Sequence, residues 1–151
     1  RRPPRSTLFP YTTLFRSKVN TKREKGIIGQ YMDALRVKAS SPQQYIGNLS
    51  GGNQQKAIIA RWLATNPKIL ILDEPTKGID IGAKTEIYSI IDELAKQGVA
   101  IMLISSELPE VINTSDRIIV MKNRRIAGVL NDRAEFAQEN IMNYCLGGGN
   151  A

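Results

Sequence analysis

Histidine is missing from all 151 residues. Its absence excludes a histidine general base, a Ser-His-Asp triad and any imidazole-built zinc site. Cysteine occurs once, at Cys145, so no internal disulfide can form and a thiolate metal cluster is not credible; a reducing cytosol suits such a chain. Long apolar runs are missing as well. No stretch approaches the roughly 18 residues needed to cross a bilayer. The longest runs, Ile69 to Leu72 and Val99 to Ile104, are bounded by turn residues or charges and read as buried strands. Any membrane role must come through a partner.

What remains is an ordinary globular balance, 42% hydrophobic and 23% charged, long enough for one domain or a piece of one. The net charge of +7 points to an anionic partner only until its location is considered. Arg1, Arg2, Arg5 and Arg16 lie in the first 17 residues with no acid among them, leaving 17 basic against 14 acidic residues elsewhere. Residues 3–17, PPRSTLFPYTTLFRS, carry no helical or strand period and resemble, over their whole length, the conceptual translation of a sequencing-library adapter. Pro3, Pro4 and Pro10 oppose an amphipathic targeting helix. Residues 1–17 are therefore read as an artefactual, disordered tail. Residues 18–151 are read as the natural sequence, expected to begin in mid-domain.

From there, Asn20 can cap a helix to about Val37, with Ile27, Ile28, Tyr31, Met32 and Leu35 on one face. Ser40, Ser41 and Pro42 break it. Gly51 and Gly52 open a second helix that runs to Ala64 and stops before Pro67. A strand over Ile69 to Asp73 leads to a loop rich in Gly and Pro. A helix over Ala83 to Lys96, with Ile87, Ile90, Ile91 and Leu94 aligned, ends at Gly98. A strand to Ile104, a short helix from Glu107 to about Asn113, strands near Ile118 to Met121 and Ile126 to Leu130, and a helix from about Ala134 to Leu146 follow. Lys122, Arg124 and Arg125 read as a polar hairpin turn, Trp62 as helix packing, Cys145 as inert and Gly147 to Gly149 as a frayed end. Alternating strands and helices predict an α/β class with a parallel sheet.

Two segments carry chemistry. In Leu49 to Lys56, LSGGNQQK, two glycines open a helix, so the backbone can approach an anion, the first-turn amides point outward and Ser50 adds a hydroxyl. Taken alone, this could be a flexible helix start. In KILILDEPTKGID, an apolar strand ends in two acids, where open α/β sheets bind ligands. Asp73 could hold a hard cation and Glu74 could activate a water beside it. An isolated Asp-Glu could equally be a solvated loop start.

In this order and spacing the segments resemble the ATP-binding-cassette (ABC) ATPases. LSGGNQQK is similar to the family's signature motif, Ile69 to Asp73 with Glu74 to its Walker B strand and glutamate, and Gly78, Ile79 and Asp80 to the loop that meets the partner domain. The resemblance implies an α/β partial P-loop NTPase domain, with a parallel-sheet core and part of the helical subdomain, lacking the phosphate-loop half. It implies that Leu49, Ser50, Gly51, Gly52, Asn53 and Gln54 serve ATP held mainly by a second ATPase half. Asp73 would bind Mg²⁺ and Glu74 would polarise the attacking water. The variants NQQK, DEPTKGIDIGAK and SSELPEV resemble the second half of tandem monosaccharide importer subunits of ribose, galactose or xylose type. Such subunits lie peripherally on the inner face of the plasma membrane and drive a transmembrane sugar permease fed by a substrate-binding protein.

Two departures stand out. The GxxxxGK phosphate loop, with its Ser or Thr, is absent from the sequence, so MgATP binding by this chain alone should be weak and the chain alone inactive. Ser106 occupies the place of the switch histidine and cannot match imidazole's reach. The site containing Glu74 is therefore expected to hydrolyse poorly. Competing readings are a non-transport relative acting in DNA repair or on ribosomes, which steeply salt-dependent nucleic-acid binding would favour, and an inactive gene fragment. Asn53 and GIDIGAK favour transport, with no nucleic acid expected as a partner.

Overall fold

The structure is a computed structural model that describes residues 20–146. The expected tail over residues 1–17 and the glycine run at Gly147 to Gly149 lie outside the described residues. Among the described residues, five helices and four strands follow one another in the predicted order. They are α1 (Thr21–Ala34), α2 (Gly51–Leu63), β1 (Ile69–Asp73), α3 (Ile81–Lys96), β2 (Ala100–Ile104), α4 (Leu108–Thr114), β3 (Ile118–Lys122), β4 (Arg125–Leu130) and α5 (Gln138–Leu146). Short 3-10 turns at Ile46–Asn48 and Arg133–Glu135 were not expected from the pattern. The second shortens the last helix, which starts four residues later than its periodicity suggests.

Local chemistry sets the boundaries. The Asn20 side chain accepts from the Arg23 amide at 3.1 Å and starts α1. Asp80 does the same for α3, accepting from the Ala83 amide at 2.9 Å. Gly98, at φ +90, ends α3 in a conformation that an L side chain resists. Asn66, at φ 53, turns the chain after α2 immediately before Pro67. Asn123 and Arg124, at φ 50 and 63, form the tight hairpin turn between β3 and β4 expected from its polar residues.

β1 and β2 pair in parallel, with Ile69 opposite Ala100 and Asp73 opposite Ile104. β3 and β4 form a separate antiparallel hairpin with a register shift between Val120 and Met121. The parallel sheet packs its inner face, Leu70 and Leu72, on Ile59 and Leu63 of α2 and on Ile87, Ile90, Ile91 and Leu94 of α3. Ile59 and Ile87 are essentially inaccessible, and each such burial stabilises the fold by roughly 1.5–3 kcal/mol. A second core joins Ile118, Val120 and Leu130 of the hairpin to Phe136 and Ile141, with Val111 and Ile112 of α4 against it.

Three expectations need correction. The apolar strands are not buried on both faces: Ile69 and Ile71 are 66% and 61% exposed, and Met102 and Ile104 are also exposed. Their period-2 alternation places one set on the helices and the other on a face that no described element covers. The first helix stops at Ala34, short of Val37, so that Leu35 is its buried C-cap and the apolar face of α1 itself holds no buried residue. It lines an open groove of about 720 Å³ against α2, and the Tyr31 hydroxyl donates to the Leu63 carbonyl at 2.8 Å. Trp62 does not pack in the core. It is 51% exposed and stacks with the Arg61 guanidinium 5.2 Å from the ring centre.

Lys56, the last residue of LSGGNQQK, is buried. Its Nζ lies 2.5 Å from Glu86 Oε2 on α3 and donates to the Arg36 carbonyl at 3.1 Å, joining α2, α3 and the turn after α1. The Lys56 hydrogen bond, and then its charge, hold the Glu86 carboxyl below its ordinary value of 4.5. A depressed carboxyl contributes stability that is present above its unfolded value and is lost as pH falls through its folded one. Glu86→Gln should therefore lower Tm at neutral pH, with the difference from wild type closing as pH drops below 4.5. A pH-independent difference in thermal melts would contradict this.

Candidate functional site

Parallel pairing brings the ends of β1 and β2 out side by side at the carboxyl edge of the sheet. The chain turns sharply there. Glu74 has φ 47, a left-handed conformation that costs an ordinary residue about 1–2 kcal/mol and persists only where its surroundings hold it. Its amide donates to the Ile104 carbonyl at 2.8 Å. Its carboxylate Oε1 accepts from the Ser106 amide at 3.0 Å. Ser106 thus meets Glu74 through its backbone N–H. Among the described residues, no hydrogen bond reaches the second carboxylate oxygen, Oε2.

Asp73 is exposed at the last position of β1, beside Glu74. Two adjacent carboxylates suit Mg²⁺, which binds one or two protein carboxylates and takes its remaining ligands from water and phosphate. No group of three or more His, Cys, Asp or Glu side chains that could hold a metal occurs among the described residues. Asp73 and Glu74 are the carboxylates at this strand end that could contribute to holding a cation.

The LSGGNQQK residues sit at the mouth of α2. Ser50 is its N-cap by backbone conformation, with no side-chain cap bond, and among the described residues no side chain accepts from the first-turn amides. Ser50 and Gly51 are exposed. The polar side chains fold back instead of reaching outward. Asn53 donates to the Ser50 hydroxyl at 2.8 Å and accepts from the Lys38 amide at 2.8 Å, while Gln54 donates to the Leu49 carbonyl at 2.9 Å. They shape the mouth.

The two glycines differ in what they permit. A Cβ on Gly52 would lie 2.5 Å from the Ala83 Cβ, so this residue lets α2 press against the first turn of α3. A Cβ on Gly51 would meet the Ile79 Cγ2 at 3.1 Å and the Gly78 carbonyl oxygen at 4.0 Å. The Gly78–Asp80 loop and the opening of α2 are therefore neighbours. Gly78 turns at φ +75, and Asp80 caps α3.

The structure also draws in residues that the sequence reasoning left without a role. Lys84 on α3 binds Glu107 at 2.5 Å, tying α3 to the loop after β2. Its hydrogen bond to Glu107 raises the Lys84 pKa above the ordinary 10.5. Lys56 fastens α2 to α3, as described above. A lysine placed on the apolar side of a helix, as Lys56 is relative to Ile59 and Leu63, was the available signal.

Comparison with known proteins matches residues 3–77 to the ABC transporter family model, a match that begins inside the segment read as a tail. The fold is similar to MJ1267, an ATP-binding cassette of an ABC transporter, with a TM-score of 0.70 and 28% identity over 89% of this chain and 52% of that one. The chain belongs to the ABC transporter ATPases and spans about half of such a cassette. Among curated proteins it is similar to the ribose import ATP-binding protein of Halalkalibacterium halodurans, 53% identical over 130 residues. The ribose import ATP-binding protein of Caldanaerobacter subterraneus subsp. tengcongensis is also 53% identical over 130 residues. In both cases 86% of this chain covers 26% of the relative, so the chain spans about a quarter of their length.

Close packing at Gly52 has a measurable cost. Gly52→Ala should destabilise the chain by about 1–3 kcal/mol in urea denaturation, as overpacking does. Gly51→Ala should cost less than Gly52→Ala, because its Cβ would meet the Ile79 Cγ2 at 3.1 Å rather than a Cβ at 2.5 Å. Equal effects would show that the α2–α3 contact is looser than its geometry.

Proposed function

We propose that this chain supplies the signature helix and the acid-tipped strand of a MgATP-clamping cassette in a monosaccharide importer subunit. One observation carries this reading: a glycine-opened α2 and the Asp73–Glu74 strand end stand in one α/β unit, in a chain 53% identical to ribose import ATP-binding proteins. The whole subunit would couple MgATP hydrolysis to sugar passage through a transmembrane permease fed by a substrate-binding protein. It would sit peripherally at the cytoplasmic face of the membrane. No helix among the described residues is long and apolar enough to cross one.

The roles follow from chemistry. Leu49 to Gln54 frame first-turn amides that would meet the phosphates of a nucleotide held mainly by a second ATPase half. Gly78, Ile79 and Asp80 would border that half. Glu74 would accept a proton from water through Oε2, while Ser106 N–H holds Oε1. Asp73 would hold Mg²⁺, whose charge, when it is bound, stabilises the phosphate oxygens. A serine hydroxyl at position 106 lacks the reach of imidazole, so the Glu74 site would turn over slowly. The competent site would be the one completed by Ser50 to Gln54.

The test uses a complete ribose import subunit carrying residues 20–146 in place of its own matching segment. Gly51→Asp should cut sugar-stimulated ATPase by at least about a hundredfold, because it puts a carboxylate where phosphate binds. Glu74→Gln should reduce the rate only severalfold. Equal and total loss from both would defeat the division of labour. Tight one-to-one MgATP binding by the 151-residue chain in calorimetry would defeat the reading of a shared site.

A further inference from the structure

Glu110 is a carboxylate removed from water, 2% exposed on α4. Burying a carboxylate is unfavourable unless both oxygens are paired, and an apolar residue would pack beside Leu108, Val111 and Ile112 at lower cost. Its presence calls for something that it holds. Oε1 accepts from the hydroxyl of Thr76, itself 1% exposed, at 2.9 Å, and Oε2 accepts from the Ser105 hydroxyl. Ser105 Oγ in turn accepts from the Glu107 amide at 3.0 Å. No buried side-chain polar atom among the described residues is left without a partner.

The two residues gripped by Glu110 flank the Glu74–Ser106 contact. Thr76 lies two residues beyond Glu74, and Ser105 immediately precedes Ser106. The left-handed turn at Glu74 and the Ser106 N–H that bonds its carboxylate are thus both tethered to one buried side chain. Nothing else described ties the loop after β1 to the loop after β2 through side chains on both flanks.

We propose that Glu110 is the positioning residue of this site. By clamping Thr76 and Ser105 it holds Ser106 N–H on Oε1 of Glu74 and so aims Oε2. It acts through its neighbours and touches no reactant. Its importance for turnover rests on the reading of Glu74 as the group that activates water; the clamp itself does not.

Amide hydrogen exchange, read by NMR on the 151-residue chain, tests the clamp without any nucleotide. In Glu110→Ala the Ser106 and Glu74 amides should exchange at least about tenfold faster, with the β3–β4 amides unchanged as the internal reference. Glu110→Gln keeps the shape, accepts from one hydroxyl and donates to the other, so exchange should stay within about threefold of wild type. Ser105→Ala removes one tether while leaving the core intact, and should give an intermediate rise even if the alanine variant at 110 does not fold. Unchanged Ser106 exchange in Ser105→Ala, or a glutamine variant as open as alanine, overturns the proposal. In the complete subunit, Glu110→Ala should lower kcat no further than Glu74→Gln, leave KM for ATP unchanged and add nothing to Glu74→Gln in the double variant. Additive losses would show a merely structural role. Inactivity of every form would sink the ATPase reading and leave the exchange result standing.

Discussion

The parallel pairing of β1 with β2, in the register that sets Asp73 opposite Ile104, is the constraint on which the site depends. A shift by one residue would exchange the two faces of a strand and pull Leu70 and Leu72 off the helices. With the register fixed by the apolar face, the chain must leave both strands at the same edge. Glu74 can then donate to the Ile104 carbonyl and accept from Ser106 without any long-range reach. The chemistry at the edge is thus a by-product of packing beneath the sheet.

The same sheet has two unlike faces. One is sealed by α2 and α3, and the other presents Ile69, Ile71, Met102 and Ile104. Parallel sheets are ordinarily covered on both sides, and the hairpin shows a similar imbalance, with Ile119, Met121, Ile126 and Val129 exposed. Both the relatives and the solved cassettes are longer than this chain, which covers 26% and 52% of them, and so have further chain that could cover such faces. Among the described residues, Lys56 and the Lys84–Glu107 pair join α2, α3 and the loop after β2.

Much of this could be read from sequence because it depends on local signals. The cap at Asn20, the stop at Gly98, the polar hairpin turn around Arg124 and the period of α3 involve residues a few positions apart. The order LSGGNQQK then DEPTKGID was equally readable, since each motif is contiguous. Burial was not. Ile69 to Leu72 is an unbroken apolar run, and a sequence cannot say whether a layer exists to cover its outer side. Trp62 failed for the same reason. The Glu110 clamp was hidden because its partners lie 34 and 5 residues away, and only the meeting of two loops brings them together. The bonds by which Asn53 and Gln54 brace the backbone at the mouth of α2 were likewise not legible, because one of them reaches Lys38, 15 residues away.

The contact at Gly52 has a mechanical meaning beyond packing density. With no side chain between the axis of α2 and Ala83, there is no compressible cushion where the two helices cross. A push on the mouth of α2 must displace α3 as well, and with it the Asp80 cap and the Lys84 anchor on the loop after β2.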